Sequence, residues 1–162
     1  MNYYIAQVIA AIGFLILLLS FWQKKKTKIL FFQVISSLFY AMQYLLLLAF
    51  SGAAVNIIGV IRDILFRNKN IKRKILYFFL IIYVAVGIFF WQGYLSLLPI
   101  LASLMYTIVI YQKRENDIRK GSLLVSLIWI IYNLSVNAHV ALVTESILLI
   151  SNVLAILNYR KR

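Results

Sequence analysis

The stretch "FWQKKKTKI" (residues 21–29) breaks an apolar chain with four lysines. A similar break returns as "IYQKRENDI" (residues 110–118), an offset of 89 residues (110 minus 21). Gln23 falls on Gln112, Lys24 on Lys113 and Ile29 on Ile118. A basic break between long apolar runs is what a chain shows where a membrane span ends. Its recurrence divides this chain into two comparable halves.

Outward from these breaks, seven apolar segments can be marked, at about 3–22, 29–49, 52–67, 75–91, 95–112, 120–137 and 140–159. The longer ones give roughly 26–32 Å of helix at about 1.5 Å per residue, enough to cross a hydrocarbon core near 30 Å. The third is short and carries Arg62 and Asp63. The spacing therefore predicts an all-α transmembrane protein of seven helices.

Composition agrees. Hydrophobic residues make up 64% of the 162, against about 45–50% in ordinary globular chains. One Pro and six Gly leave no flexible linker, so residues 1–162 read as a single transmembrane domain. The absence of cysteine excludes a disulfide framework, a thiolate nucleophile and a zinc ribbon. A lone His139, expected at the outer surface, excludes any site that needs two histidines. No cofactor and no metal are expected. "TES" (144–146) is no nucleophile motif, and the chain does not read as an enzyme. The N-terminal run lacks a basic n-region and a small-residue cleavage site, so it reads as a first span and not as a signal peptide.

The formal charge of +13 is placed with a bias. All 17 basic residues cluster at the end of, or just after, the first, third, fifth and seventh segments; "SG", "WQG" and "NAH", the alternate connections, carry none. Basic residues confined to such gaps set topology and do not point to nucleic acid. The positive-inside rule then predicts an outside N-terminus and a cytoplasmic C-terminus. Trp22, Trp91, Tyr3, Tyr4 and Tyr94 fall at segment ends and read as interfacial anchors.

Three of the four acids lie near basic residues on the inner side; Glu145 alone sits in a span with no charged neighbour in sequence. A carboxylate at the bilayer centre costs roughly 2.5–3.5 kcal/mol on insertion scales. It must face a partner or a wet cavity, or be protonated. A hydrogen-bonded bundle glutamate is the plainer alternative.

The 89-residue offset also aligns polar positions. Ser37 falls on Ser126, Tyr40 on Trp129, Asn56 on Glu145 and Asp63 on Asn152. Gln33, Ser37, Tyr40 and Tyr44 share one helical face; Ser122, Ser126, Trp129 and Asn133 share the corresponding one. Packing of polar residues between transmembrane helices explains each of them singly. It explains their correspondence less well. With one odd segment between, the halves form a parallel 3+1+3 repeat: unit one about 3–67, a linker helix about 75–91, unit two about 95–159.

The stretch "QVISSLFYAMQYLLLLAFSGAAVNIIGVIRDIL" (33–65), followed by "YLSLLPILASLMYTI" (94–108), resembles the YgjV-type family of bacterial inner-membrane proteins, over residues from about 5 to 155. That family is distantly similar to the SWEET, SemiSWEET and other PQ-loop transporters. The resemblance implies the bacterial cytoplasmic membrane and the 3+1+3, N-out, C-in plan. In SWEET-like proteins an asparagine on the third helix of each repeat lines a central pocket, with an aromatic sixteen residues earlier packing on the substrate. Asn56 follows Tyr40, and Glu145 follows Trp129, at that spacing. Two features depart from the pattern. No Pro-Gln pair hinges the first helix of either unit, and only Pro99, whose counterpart is Ala10, is placed to kink the fifth span. Glu145 replaces the second asparagine, which argues against a simple sugar.

Two functions follow as expectations. The first is a small-solute transporter or facilitator, passive or proton-linked through Glu145. Tyr40, Asn56, Trp129 and Glu145 would hold a sugar-, amine- or nucleoside-like solute. Asp63, Asn152, Ser37, Ser126 and Asn133 would extend a polar pathway. The alternative is a non-transporting scaffold, regulatory or lipid-interacting protein on the same fold. The bilayer is a partner in both, nucleic acid in neither, and the sequence is compatible with a homo-oligomer.

Overall fold

Apolar runs bring few polar side chains to satisfy their backbone, so the backbone satisfies itself as helix. The computed structural model describes residues 2–21, 26–66, 72–112 and 115–159. Among these residues are seven α-helices, one 3-10 turn and no strand. They are α1 (Asn2–Phe21), α2 (Lys26–Leu46), α3 (Phe50–Phe66), α4 (Arg73–Phe89), the 3-10 turn Tyr94–Ser96, α5 (Leu97–Tyr111), α6 (Glu115–Ser135) and α7 (His139–Tyr159). Residues 22–25, 67–71, 113–114 and 160–162, which include Trp22, Gln23 and many of the basic residues behind the predicted topology, lie outside the described residues.

The helix bounds repeat. α2 and α6 both start and end 89 residues apart (115 minus 26, 135 minus 46), and α3 and α7 start 89 apart (139 minus 50). The turns between them match atom for atom. Leu48 donates to the Leu45 carbonyl and Ala49 to the Tyr44 carbonyl, at 3.1 and 2.9 Å; Asn137 donates to Leu134 and Ala138 to Asn133, at 3.4 and 2.9 Å. Each is a Schellman ending with a left-handed residue, Leu48 at φ 57° and Asn137 at φ 55°.

Packing keeps sequence neighbours together. α1 lies on α2 and α2 on α3; α5 lies on α6 and α6 on α7. The two groups meet where α3 touches α5 and α1 touches α7, and α4 covers α5 and α3. One apolar cluster joins the groups near the two turns through Tyr44, Ala49, Ala53, Tyr132, Ala138 and Ala141. A second, with Val55, Phe66, Phe79, Tyr83 and Ile100, holds α4 in place.

The outside of the bundle is apolar. Ile81, Ile88 and Phe89 on α4 are 69, 75 and 83% exposed, and Val8 and Leu15 on α1 are exposed as well. A water-soluble monomer rarely shows apolar surface on this scale. Asn2–Leu19 and Tyr94–Tyr111 are long and apolar enough to cross a membrane, and the apolar stretches Phe31–Leu46, Lys120–Ser135 and His139–Leu154 are shorter. Tyr3, Tyr4, Trp91 and Tyr94 are exposed at helix ends, as expected of anchors, and exposed His139 meets Tyr3 edge-on at 6.1 Å. Pro99 sits in the first turn of α5, directly after the 3-10 turn. Its missing N–H falls where a helix has spare donors, so it marks the start of α5 and does not kink its middle.

Candidate functional site

Between the two helix groups lies a cavity of about 330 Å³. All nine residues expected to form the site line it: Ser37 and Tyr40 from α2, Asn56 and Asp63 from α3, Ser126, Trp129 and Asn133 from α6, and Glu145 and Asn152 from α7. Twenty of its 23 lining residues form ten pairs 89 positions apart: Leu17 with Tyr106, Gln33 with Ser122, Ser36 with Val125, Ser37 with Ser126, Tyr40 with Trp129, Tyr44 with Asn133, Val55 with Thr144, Asn56 with Glu145, Gly59 with Leu148, and Asp63 with Asn152. Only Arg62, Ser103 and Ala141 have no counterpart in the wall.

Hydrogen bonds cross between the groups. The Tyr44 hydroxyl donates to Asn133 Oδ1 at 2.7 Å, and these two side chains are themselves a pair in the offset. The Thr144 hydroxyl donates to the Val140 carbonyl at 2.9 Å, so the Tyr40 hydroxyl, 2.8 Å away, donates to Thr144. The Gly52 N–H donates to the Tyr132 hydroxyl at 3.1 Å.

Several details differ from expectation. Trp129 does line the cavity, but the ring stacked on it is Tyr44, with centroids 5.9 Å apart and planes at 21°. Asn56 does not turn its amide donor across the cavity; Nδ2 donates to the carbonyl of Gly52 on its own helix, at 2.9 Å. Glu145 lines the cavity beside Ser126.

The largest correction concerns Arg62. Its place in sequence put it with the basic cluster on the inner side. In the structure it is 5% exposed, inside the bundle. Arg62 Nε donates to Asp63 Oδ1 at 2.9 Å, and Nη1 donates to the Tyr83 hydroxyl at 3.1 Å and to Thr107 Oγ1 at 3.2 Å. The guanidinium also lies 4.8 Å from the centre of the Tyr106 ring. Asp63 is therefore a paired anion and not an open step on a polar path. Adjacent opposite charges within an apolar segment were the available signal, because each neutralises the other's cost of burial. No pattern in the sequence pointed to Ser103 and Tyr106 on α5.

The turn ends are closed by two glutamines. Gln7 donates to the Asn137 carbonyl at 2.9 Å and accepts from the Val140 N–H at 3.1 Å. Gln92 donates to the Leu48 carbonyl and accepts from the Phe50 N–H, both at 3.1 Å. Gln7 thus serves the turn of the other helix group, Gln92 reaches its turn from the connection after α4, and each supplies both a donor and an acceptor to backbone the helices leave unpaired.

A helical bundle with an apolar exterior and a polar, internally paired cavity defines a membrane-protein class. The chain belongs to the Imp-YgjV family of bacterial inner membrane proteins, whose sequence profile matches residues 4–162. No curated protein and no solved structure matches it.

Proposed function

We propose that the protein is a multi-pass transporter or facilitator that passes a small solute across the bacterial inner membrane. In this proposal α1–α3 and α5–α7 are two parallel three-helix units joined by α4, in the SWEET-like 3+1+3 plan, with the N-terminus outside. The observation that carries it is the cavity wall, where ten residue pairs at one offset meet around one space. Substrate sites at the interface of internal repeats are the transporter pattern. A volume of about 330 Å³ also falls in the range of small-molecule sites. A bundle acting only as a scaffold gains nothing from leaving such a space, because close packing stabilises it. Glu145, with no cation paired to it among the described residues, is the group that would link transport to a proton.

The chain has no cysteine, so single-cysteine variants need no background removal. Asn56→Cys and Ser126→Cys are expected to react with a membrane-impermeant thiol reagent from either face, because a transporter opens its site alternately. Labelling from one face only would overturn transport. A reporter fused after Arg162 is expected in the cytoplasm and one inserted at residues 136–138 outside. Both on one side would remove the seven-span topology.

A further inference from the structure

We infer that the cavity binds a small monovalent organic ammonium ion, held by Glu145 against the Trp129 and Tyr44 rings. This rests on the cavity being the solute site proposed above and adds the chemical class of the solute.

Charge comes first. Among the described residues the wall holds one cation, Arg62, and two carboxyls, Asp63 and Glu145. Arg62 is consumed by Asp63, by two hydroxyls and by the face of Tyr106. The remaining carboxyl has a serine hydroxyl for company and no cation among the described residues. An anionic solute would meet that carboxylate without compensation. A cationic one supplies the counter-charge that a buried carboxylate otherwise lacks.

Hydrogen bonding comes second. A sugar needs many free donors and acceptors. Several on this wall are already engaged: Tyr40 donates to Thr144, Tyr44 donates to Asn133, and one Asn56 amide N–H donates to Gly52. Asn133 is fully buried, and its Nδ2 has no partner among the described residues. Gln33, Ser37, Ser122 and Asn152 add neutral polar groups to the wall, and what marks it chemically is a carboxyl with no cation beside aromatic surface. Stacked Tyr44 and Trp129 supply the last, and a cation is attracted to the face of such rings.

Geometry fits the set. Ser126, Trp129 and Asn133 share a face of α6, and residues 126 and 133 lie roughly 10 Å apart along the axis at about 1.5 Å per residue. An ammonium group at Glu145 and Ser126 therefore places the rest of the solute past Trp129, with an acceptor within reach of Asn133. The cavity has the volume of about eleven water molecules. A proton and an ammonium ion would compete for the one carboxylate. Around Glu145 stand Ser126 from α6, Tyr40 and Tyr44 from α2 and Tyr106 from α5, with the neutralised Arg62–Asp63 pair on α3. None of these brings an unpaired positive charge, so acid should weaken binding through Glu145.

The test uses the full chain in phosphatidylcholine nanodiscs. Choline, ethanolamine, glucose and glutamate are added at matched ionic strength, and the melting temperature is followed. Choline or ethanolamine is expected to raise it, with glucose and glutamate inert. The concentration needed should rise as the pH falls from 8 to 5, and at least tenfold in Glu145→Gln at pH 8, where the pH dependence should vanish. Glu145→Asp, which keeps the charge, should retain most of the response and serves if the Gln variant does not fold. Trp129→Leu should weaken binding more than Trp129→Phe. A response to choline that Glu145→Gln leaves unchanged would overturn the inference. A response to glucose or glutamate alone would overturn it too, yet leave the cavity as a solute site. Silence from all four solutes also overturns it, and the cysteine labelling then decides whether transport survives.

Discussion

On α3 the polar residues facing the cavity are Asn56, Arg62 and Asp63; on α7 they are Thr144, Glu145 and Asn152. The two helices start at equivalent positions and contribute four matched pairs to the wall. Their chemistry has diverged. On α3 the charges neutralise each other and the amide is tied to its own backbone. On α7 the carboxyl has no ionic partner among the described residues. One backbone plan thus holds a structural polar cluster in one half and an available carboxyl in the other.

The comparison breaks most severely at the ion pair. Asp63→Ala leaves Arg62 buried without its anion, and a broken buried pair costs about 3–5 kcal/mol. Asn152→Ala, at the equivalent place on α7, is expected to cost less than about 0.5 kcal/mol, as substitutions away from such networks do. Thermal unfolding in one detergent compares the two. Replacing both partners with apolar residues, Arg62→Met with Asp63→Leu, should recover most of the loss. Equal melting temperatures for Asp63→Ala and Asn152→Ala would show that the asymmetry has no energetic content.

The next difference is steric. Gly52 and Ala141 are equivalent (141 minus 52 is 89), but a methyl group on Gly52 would stand 2.7 Å from the Tyr132 hydroxyl. It would also displace the hydroxyl that accepts from the Gly52 N–H. Gly52→Ala is expected to destabilise by about 1–3 kcal/mol through overpacking. Ala141→Gly should lose only about 1 kcal/mol of helix propensity. Denaturant or heat titration of the pair would show whether the order is reversed.

Tyr44→Phe probes the contact between the units. It removes the hydroxyl from Asn133, whose Nδ2 is already unpartnered, and leaves the buried amide with no bond at Oδ1 from Tyr44. A loss of about 1–2 kcal/mol is expected from the unmet acceptor. No change in melting temperature would mean that the contact between these equivalent residues does not hold the units together.

The smallest effect separates the two turns, and its sign is opposite. Leu48 occupies a left-handed conformation that Asn137 adopts at the matching place. Asparagine visits that region far more readily than leucine. Leu48 is 66% exposed, so little packing is lost by replacing it. Leu48→Asn should stabilise by about 1 kcal/mol, seen as a raised melting temperature. A fall would mean that the exposed leucine is held by surroundings other than the protein itself.

Apolar runs, basic breaks and the 89-residue offset were enough to mark seven helices, because helix formation depends on residues close in sequence. They also marked the face on which Tyr40, Trp129, Asn56 and Glu145 lie, since a fixed helical period turns spacing into direction. Which atoms meet was a different matter. Tyr44 finds Asn133, Trp129 stacks on Tyr44, and Arg62 reaches Tyr83 on α4 and Thr107 on α5. Those contacts join residues on different helices, and the rotation and depth at which helices pack decide them. Arg62 shows the limit most clearly. Its place in sequence grouped it with the basic cluster at the inner end of the third segment, whereas burial next to Asp63, Tyr83, Thr107 and Tyr106 is set by how α3, α4 and α5 converge, where a charge can lie inside only because all its partners arrive together.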